Sequence, residues 1–220
     1  MKGKILGTGT LAEAIRHHLP NTKFIWCAWD TPIKEDGTPD SEFVLVSLRP
    51  HLAGAPAKVV VTSQLRVGTC WKLEREFPQH RFISYPENVR ALHAVEDFGH
   101  QPRIVLGSRQ KQEADQVAAE LSHLTNRFIF TTPETAEMVK HGLNGFLALS
   151  IGYARELAKI AEVNGADPQQ LAECLMSDPR IGERAYLKPA GGLGAHLSRE
   201  VHNLIELGAG GIIQAAREYT

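Results

Sequence analysis

The chain has 220 residues, 43% of them hydrophobic and 22% charged, with 24 Lys plus Arg against 25 Asp plus Glu and a formal net charge of -1. These values describe one large or two small folded domains that bury a core without disulfide or metal staples, and the even charge balance gives no basic footprint for DNA or RNA. Cys27, Cys70 and Cys174 stand far apart with no Cys-x-x-Cys pair, and no apolar stretch has signal-peptide or membrane-span character, so a reducing cytoplasm is expected and neither secretion nor membrane insertion is.

Lys4 to Leu6 reads as a short strand, followed by Gly7, Thr8, Gly9, Thr10, Leu11 and Ala12 and then a helical pattern through Leu19. That is the strand, tight turn and helix start of a dinucleotide-binding fold: Gly7 for the turn, Gly9 for close approach of a pyrophosphate, and the free N–H groups of the helix start to attract it. Ala12 replaces the third glycine and is small enough for helix-on-strand packing. His17 and His18 suit the C-terminal end of this helix, and no third ligand at suitable spacing points to a metal.

Lys23 to Trp29 reads as the second strand, with Trp26 and Trp29 as packing residues. Asp30 follows, about 20 residues beyond the glycines, where an acid could hold ribose hydroxyls. A second assignment makes Asp30 a loop residue, as set out below. Ser41 to Leu52 reads as a largely buried helix capped by Asp40 or Ser41, with Pro50 disturbing its last turn. Further expectations are a strand over Lys58 to Thr62, a helix from Cys70 to Phe77, a strand over Arg81 to Tyr85, a helix from Gln110 to Thr125 and a strand over Phe128 to Thr131. The alternation predicts a mostly parallel sheet.

From Pro133 an uninterrupted helical pattern runs to about Asn164, with apolar positions such as Val139, Leu143, Phe146, Leu147 and Ala154 predicted to form one broad buried face. Such a length suggests a spine shared by two domains or two subunits. Asp167 starts another helix to about Met176, and the rest contains a loop at Gly191 to Gly194 and two helical pieces broken at Gly208 to Gly211. Lys140 and Asn144, four apart on the long helix, project from one face.

These motifs, in this order, resemble the nucleotide-sugar (UDP-glucose/GDP-mannose) dehydrogenase family. The resemblance rests on Phe24 to Asp40 with Thr31, Pro32 and Asp36-Gly37, on Ser63-Gln64-Leu-Arg-Val-Gly-Thr69, on Pro86-Glu87-Asn88, on Ala94-Val-Glu-Asp-Phe98 and Pro102-Arg-Ile-Val-Leu-Gly-Ser108, and on Glu134-Thr-Ala-Glu-Met-Val-Lys140 with Asn144 and Ser177-Asp-Pro-Arg-Ile-Gly182. It implies an α/β fold: a Rossmann-like, mostly parallel sheet domain over residues 1–132, joined to an α-helical central dimerisation domain over 133–220. On this alignment the strand before Asp30 is the family's fourth, Asp30 replaces a loop glycine, and the second and third strands, which form much of the adenosine side of the pocket, are missing.

The resemblance further implies NAD or NADP as cofactor, held around Gly7, Thr8, Gly9, Thr10, Leu11, Thr31, Pro32 and Gln64. It implies a small-molecule substrate such as a sugar derivative, a homodimer, and Lys140, Asn144 and Glu87 as catalytic groups. The family oxidises an alcohol twice through a cysteine thiol. Here the corresponding segment reads Leu193-Gly-Ala-His-Leu-Ser-Arg-Glu200, with His196 or Leu197 at the thiol position according to the anchor used. The four-electron reaction is therefore expected to be lost, with His196 or Glu87 as acid/base for a two-electron step. A segment matching the family's C-terminal domain, which holds much of the nucleotide, is also not expected. A catalytically silent homologue that binds a ligand or a partner is the alternative.

Overall fold

The structure of the protein, a computed structural model, describes residues 3–35, 38–87, 89–187 and 194–216. The Asp36-Gly37 match, Asn88, the loop at 191–193 and the side chain of His196 lie outside the described residues. Two compact units are present: residues 1–34 with 39–140, and residues 35–38 with 141–220.

The first unit is a six-stranded sheet in the order β1-β2-β3-β4-β5-β6. Its elements run β1 (Lys4–Leu6), α1 (Thr10–His18), β2 (Ile25–Cys27), α2 (Ser41–Leu48), β3 (Lys58–Val61), α3 (Thr69–Glu76), β4 (Arg81–Ser84), α4 (Ala94–Gly99), β5 (Ile104–Gly107), α5 (Lys111–Glu120) and β6 (Phe128–Thr131). The first four strands are mutually parallel, β5 joins β4 antiparallel, and β6 is parallel to β5. In a complete doubly wound fold the first strand is internal, in the order 3-2-1-4-5-6. Here β1 stands at the edge, and β1 to β4 reproduce the 1-4-5-6 part of that order, which favours assigning β2 as the family's fourth strand.

Strand alternation divides the core into two layers. Trp26, Val60 and Ile83 pack with Leu11, Ile15, Phe98, Val117 and Leu121 on one side, while Ile25, Cys27, Val59, Val61 and Phe82 pack with Val44, Leu48, Leu52, Cys70 and Leu73 on the other. Each large buried aliphatic or aromatic side chain contributes about 1.5–3 kcal/mol. The Trp26 indole donates to Thr22 Oγ1 at 2.9 Å, so its polar end is satisfied inside the core. Asp40 caps α2 by accepting from Phe43 N–H at 3.2 Å, and the chain around Pro50 tightens into a 3-10 turn (Arg49–Leu52). The helix is less buried than its composition suggests, because Phe43 and Val46 lie on its exposed side.

At the open edge, Lys4 N–H donates to Phe24 O and Leu6 O accepts from Ala28 N–H, both at 2.9 Å. These bonds turn the Ile5 carbonyl away from β2. The Arg16 guanidinium takes that carbonyl at 3.2 Å and the Gly7 carbonyl at 2.5 Å.

The long helix α6 (Pro133–Val163) begins in the first unit, and the division between units falls within it, between Lys140 and His141. The second unit continues with α7 (Pro168–Met176), α8 (Gly194–Glu206) and α9 (Gly211–Ala216). Asp167 caps α7, accepting from Gln169 N–H at 2.8 Å and Gln170 N–H at 3.0 Å. The buried stripe of α6 is made of small residues, Ala136, Ala148, Ala154, Ala158 and Ala161 among them, whereas Phe146, Tyr153 and Ile160 are exposed. Of the face expected for this helix, Val139, Leu143, Leu147, Ile151 and Leu157 are half-buried beside the alanines, Leu149 and Ile151 pack against Ala148 and Val201, and Phe146 turns outward. Among the described residues no helix is long and apolar enough to cross a membrane.

Candidate functional site

In a parallel sheet, the loops beyond the carboxyl ends of the strands form the natural ligand crevice. Gly7 to Leu11 follow β1, Thr31 and Pro32 follow β2, Gln64 follows β3, and Glu87 follows β4. The structure therefore brings these sequence-predicted residues to one edge of the first unit. Gly7 has φ +120, and a Cβ there would meet Ala28 O at 2.3 Å, so only glycine permits this turn against the end of β2. Gly9 is the N-cap of α1 with no side-chain cap. Thr31, buried, donates from Oγ1 to Gln64 O at 2.7 Å and ties two of the loops together.

Asp30 lies three residues beyond β2, in the loop that follows it. A Cβ on Gly9 would lie 1.9 Å from Asp30 Oδ2, so the Asp30 carboxylate rests on the glycine face of the turn.

Lys140 and Glu87, 53 residues apart, form an ion pair with Nζ to Oε1 at 2.7 Å; their side chains are 19% and 6% exposed. The other Glu87 oxygen accepts from Val89 N–H at 2.7 Å. This desolvated, charge-assisted pair holds a donor and an acceptor at a fixed spacing, the arrangement that proton transfer to or from a bound oxygen requires. Tyr85, two residues before Glu87, is buried with its hydroxyl lacking a hydrogen-bond partner, and burial together with the Glu87 charge pushes that hydroxyl well above its usual range. Asn144 is half-buried, one turn beyond Lys140 on the same helix.

Sequence reading missed a second polar cluster, in the helical unit. His141 Nδ1 lies 2.8 Å from Glu200 Oε2, with both side chains almost fully buried, and Glu200 Oε1 accepts from Asn203 Nδ2 at 2.8 Å. Two buried ionisable groups from α6 and α8 demand one another, and the local pattern of neither helix marks the pairing. The cysteines are a contrast: burial pushes the Cys27 thiol up to about 12 and the Cys70 thiol well above its usual range, whereas Cys174 is exposed on α7.

Residues 134–215 match the model of the UDP-glucose/GDP-mannose dehydrogenase family, central domain. The chain is 31% identical over 186 residues to a UDP-glucose 6-dehydrogenase of Rickettsia bellii, an alignment covering 80% of this chain and 42% of that protein. A UDP-glucose 6-dehydrogenase of Rhizobium meliloti is 32% identical over 174 residues, covering 73% of this chain and 40% of that one. The chain thus spans under half the length of these relatives. Among solved structures, a UDP-glucose dehydrogenase from the archaeon Pyrobaculum islandicum superposes with a TM-score of 0.79 at 27% identity, over 94% of this chain and 52% of that one. With the family model on the long helix and its successors, and matching relatives across the sheet, the chain belongs to the UDP-glucose/GDP-mannose dehydrogenase family.

Proposed function

We propose that this chain is a divergent NAD(P)-dependent oxidoreductase of the nucleotide-sugar dehydrogenase type, confined to a two-electron alcohol/carbonyl step. The observation that carries the reading is the Glu87–Lys140 ion pair at 2.7 Å, standing beyond the carboxyl end of the sheet. Lys140 would bind and polarise a substrate oxygen, Glu87 would take the alcohol proton or return it to a carbonyl, and Asn144 would supply a neutral donor to the same oxygen. His196 is a second acid/base candidate by its sequence position. Burial disfavours the thiolates of Cys27 and Cys70, and the limit to two electrons rests on the residues at the thiol position, His196 or Leu197. The substrate class is a small alcohol or aldehyde such as a sugar derivative, and the long helix is the proposed homodimer contact.

A dinucleotide partly fits the residues present. The turn at Gly7 and Gly9 offers the uncapped start of α1 to a diphosphate, where Gly7, Thr8, Gly9, Thr10 and Leu11 would hold it through backbone N–H groups, bordered by Thr31, Pro32 and Gln64. A bound nicotinamide supplies hydride acceptance. The adenosine side is weaker, because β1 is the sheet edge and Arg16 covers its outward carbonyls.

That edge favours a second reading, a homologue without redox activity that binds a ligand or a protein partner. Calorimetric titration of cofactor-free protein with NAD, NADH, NADP and NADPH separates the two. Micromolar binding of one of them, followed by Lys140-dependent turnover in a screen of alcohols and aldehydes, is the expected result. A folded protein that binds none of the four would defeat the oxidoreductase reading in favour of the second.

A further inference from the structure

The Asp30 carboxylate lies over Gly9, in the space that a Cβ there would fill. Measured from a Cβ built on Gly9, Oδ2, Cγ and Oδ1 of Asp30 lie at 1.9, 2.5 and 2.8 Å, so the whole carboxylate covers that face rather than grazing it. Its backbone cannot drift away. On one side, Ala28 is bonded to β1 through N–H to Leu6 O at 2.9 Å; on the other, buried Thr31 is bonded to Gln64 O at 2.7 Å. The side chain itself is exposed. The first turn of α1 carries N–H groups that no side chain of the N-cap residue satisfies, and the positive end of a nine-residue helix attracts whichever anion is nearest.

From these contacts we propose that Asp30 is a charged gate on the glycine turn: its carboxylate supplies the negative group for the start of α1 and opposes any diphosphate brought to the same place. The inference rests on the cofactor reading above. A diphosphate must displace the side chain and then remain within a few ångströms of a like charge, a repulsion that is substantial near a protein surface and screened by salt. The chain would therefore bind a dinucleotide weakly until Asp30 swings out, and the gate, not the glycines, would set the affinity.

The test is calorimetric titration of wild type, Asp30→Asn and Asp30→Gly with NADH and with ADP, at low and at high ionic strength, with circular dichroism and thermal midpoints confirming that each protein is folded. Asn keeps the shape without the charge, and Gly removes both. The expected result is that Asp30→Asn tightens NADH about tenfold or more, Asp30→Gly at least as much, and that the advantage of Asn shrinks at high salt; binding by the variants where wild type shows none upholds the gate on the glycine turn while defeating the reading of the wild-type chain as a working oxidoreductase. If wild type binds NADH and neither variant binds it more tightly, the gate is wrong and the cofactor reading stands. If none of the three folded proteins binds either nucleotide, both the gate and the cofactor reading fall.

Discussion

Glu137 sits on α6 yet closes the start of α3: Oε1 accepts from Cys70 N–H at 2.9 Å and Oε2 from Gly68 N–H at 2.5 Å. A carboxylate near the start of a helix commonly serves that helix's own positive end. Instead Glu134 pairs with Arg109, and Glu137 serves another helix 67 residues earlier. Glu137→Ala leaves two backbone donors without their acceptor, and we expect it to destabilise the first unit by about 1–3 kcal/mol. Chemical denaturation of wild type and variant measures this directly; an unchanged midpoint would mean that water replaces the carboxylate at no cost.

Breaking the Glu87–Lys140 pair from one side strands a nearly buried charge. Lys140→Met is expected to cost about 2 kcal/mol, because among the described residues Glu87 then keeps only the Val89 N–H, whereas Glu87→Gln together with Lys140→Met recovers much of the loss. A double-mutant cycle on denaturation midpoints should give an interaction of about 1–3 kcal/mol. Strict additivity would show that the two groups do not depend on each other.

Tyr85 carries a buried hydroxyl without a hydrogen-bond partner among the described residues. Its ring is held edge-on by Trp26, with centroids 6.1 Å apart, and by Phe98 at 6.2 Å, contacts that phenylalanine keeps. Tyr85→Phe should therefore be neutral or stabilising, by up to about 1 kcal/mol. A loss of 1 kcal/mol or more in a thermal or denaturant melt would reveal a hydrogen bond formed by the hydroxyl in solution.

Stability should also respond to acid. The Arg90 guanidinium, bidentate on Asp97, holds that carboxyl down at about 2. Because the unfolded carboxyl binds protons more readily than the folded one, this pair contributes above the ordinary value of 3.8 and loses its contribution as pH falls through about 2. Glu74 and Glu137 act with the opposite sign: burial raises both, so their share of stability declines as pH rises through the raised values. Asp97→Asn should cost about 0.5 kcal/mol near pH 6, as expected for a partly exposed pair, and nothing below pH about 2. A pH series of denaturation midpoints checks the convergence.

Elements whose logic is local were legible in the sequence. Gly7 and Gly9 marked the turn, Asp40 and Asp167 the caps, Pro50 the irregular turn, and the period of the long segment gave α6 nearly to its ends. What periodicity could not reveal was which face of a mixed helix packs. Phe146 lies on the open side of α6 because alanines, lacking side-chain bulk, let neighbouring elements approach the backbone on the other side. The Glu87–Lys140 contact came within reach through the family resemblance, whereas His141–Glu200 and Asp30 on Gly9 depend on how separate loops and helices meet, which no local pattern encodes.

Arg16 has a consequence for how this molecule behaves in a crowded solution. A sheet ending on a short strand exposes backbone acceptors that a second polypeptide could use to extend it, which is how edge-to-edge aggregation begins. With Ile5 and Gly7 carbonyls already held by a guanidinium, and Lys4 exposed on the same strand, the edge offers an incoming chain few free acceptors and two positive charges. A sheet whose first strand is its edge can in this way resist edge-to-edge pairing, the arginine doing for β1 what a neighbouring strand does elsewhere.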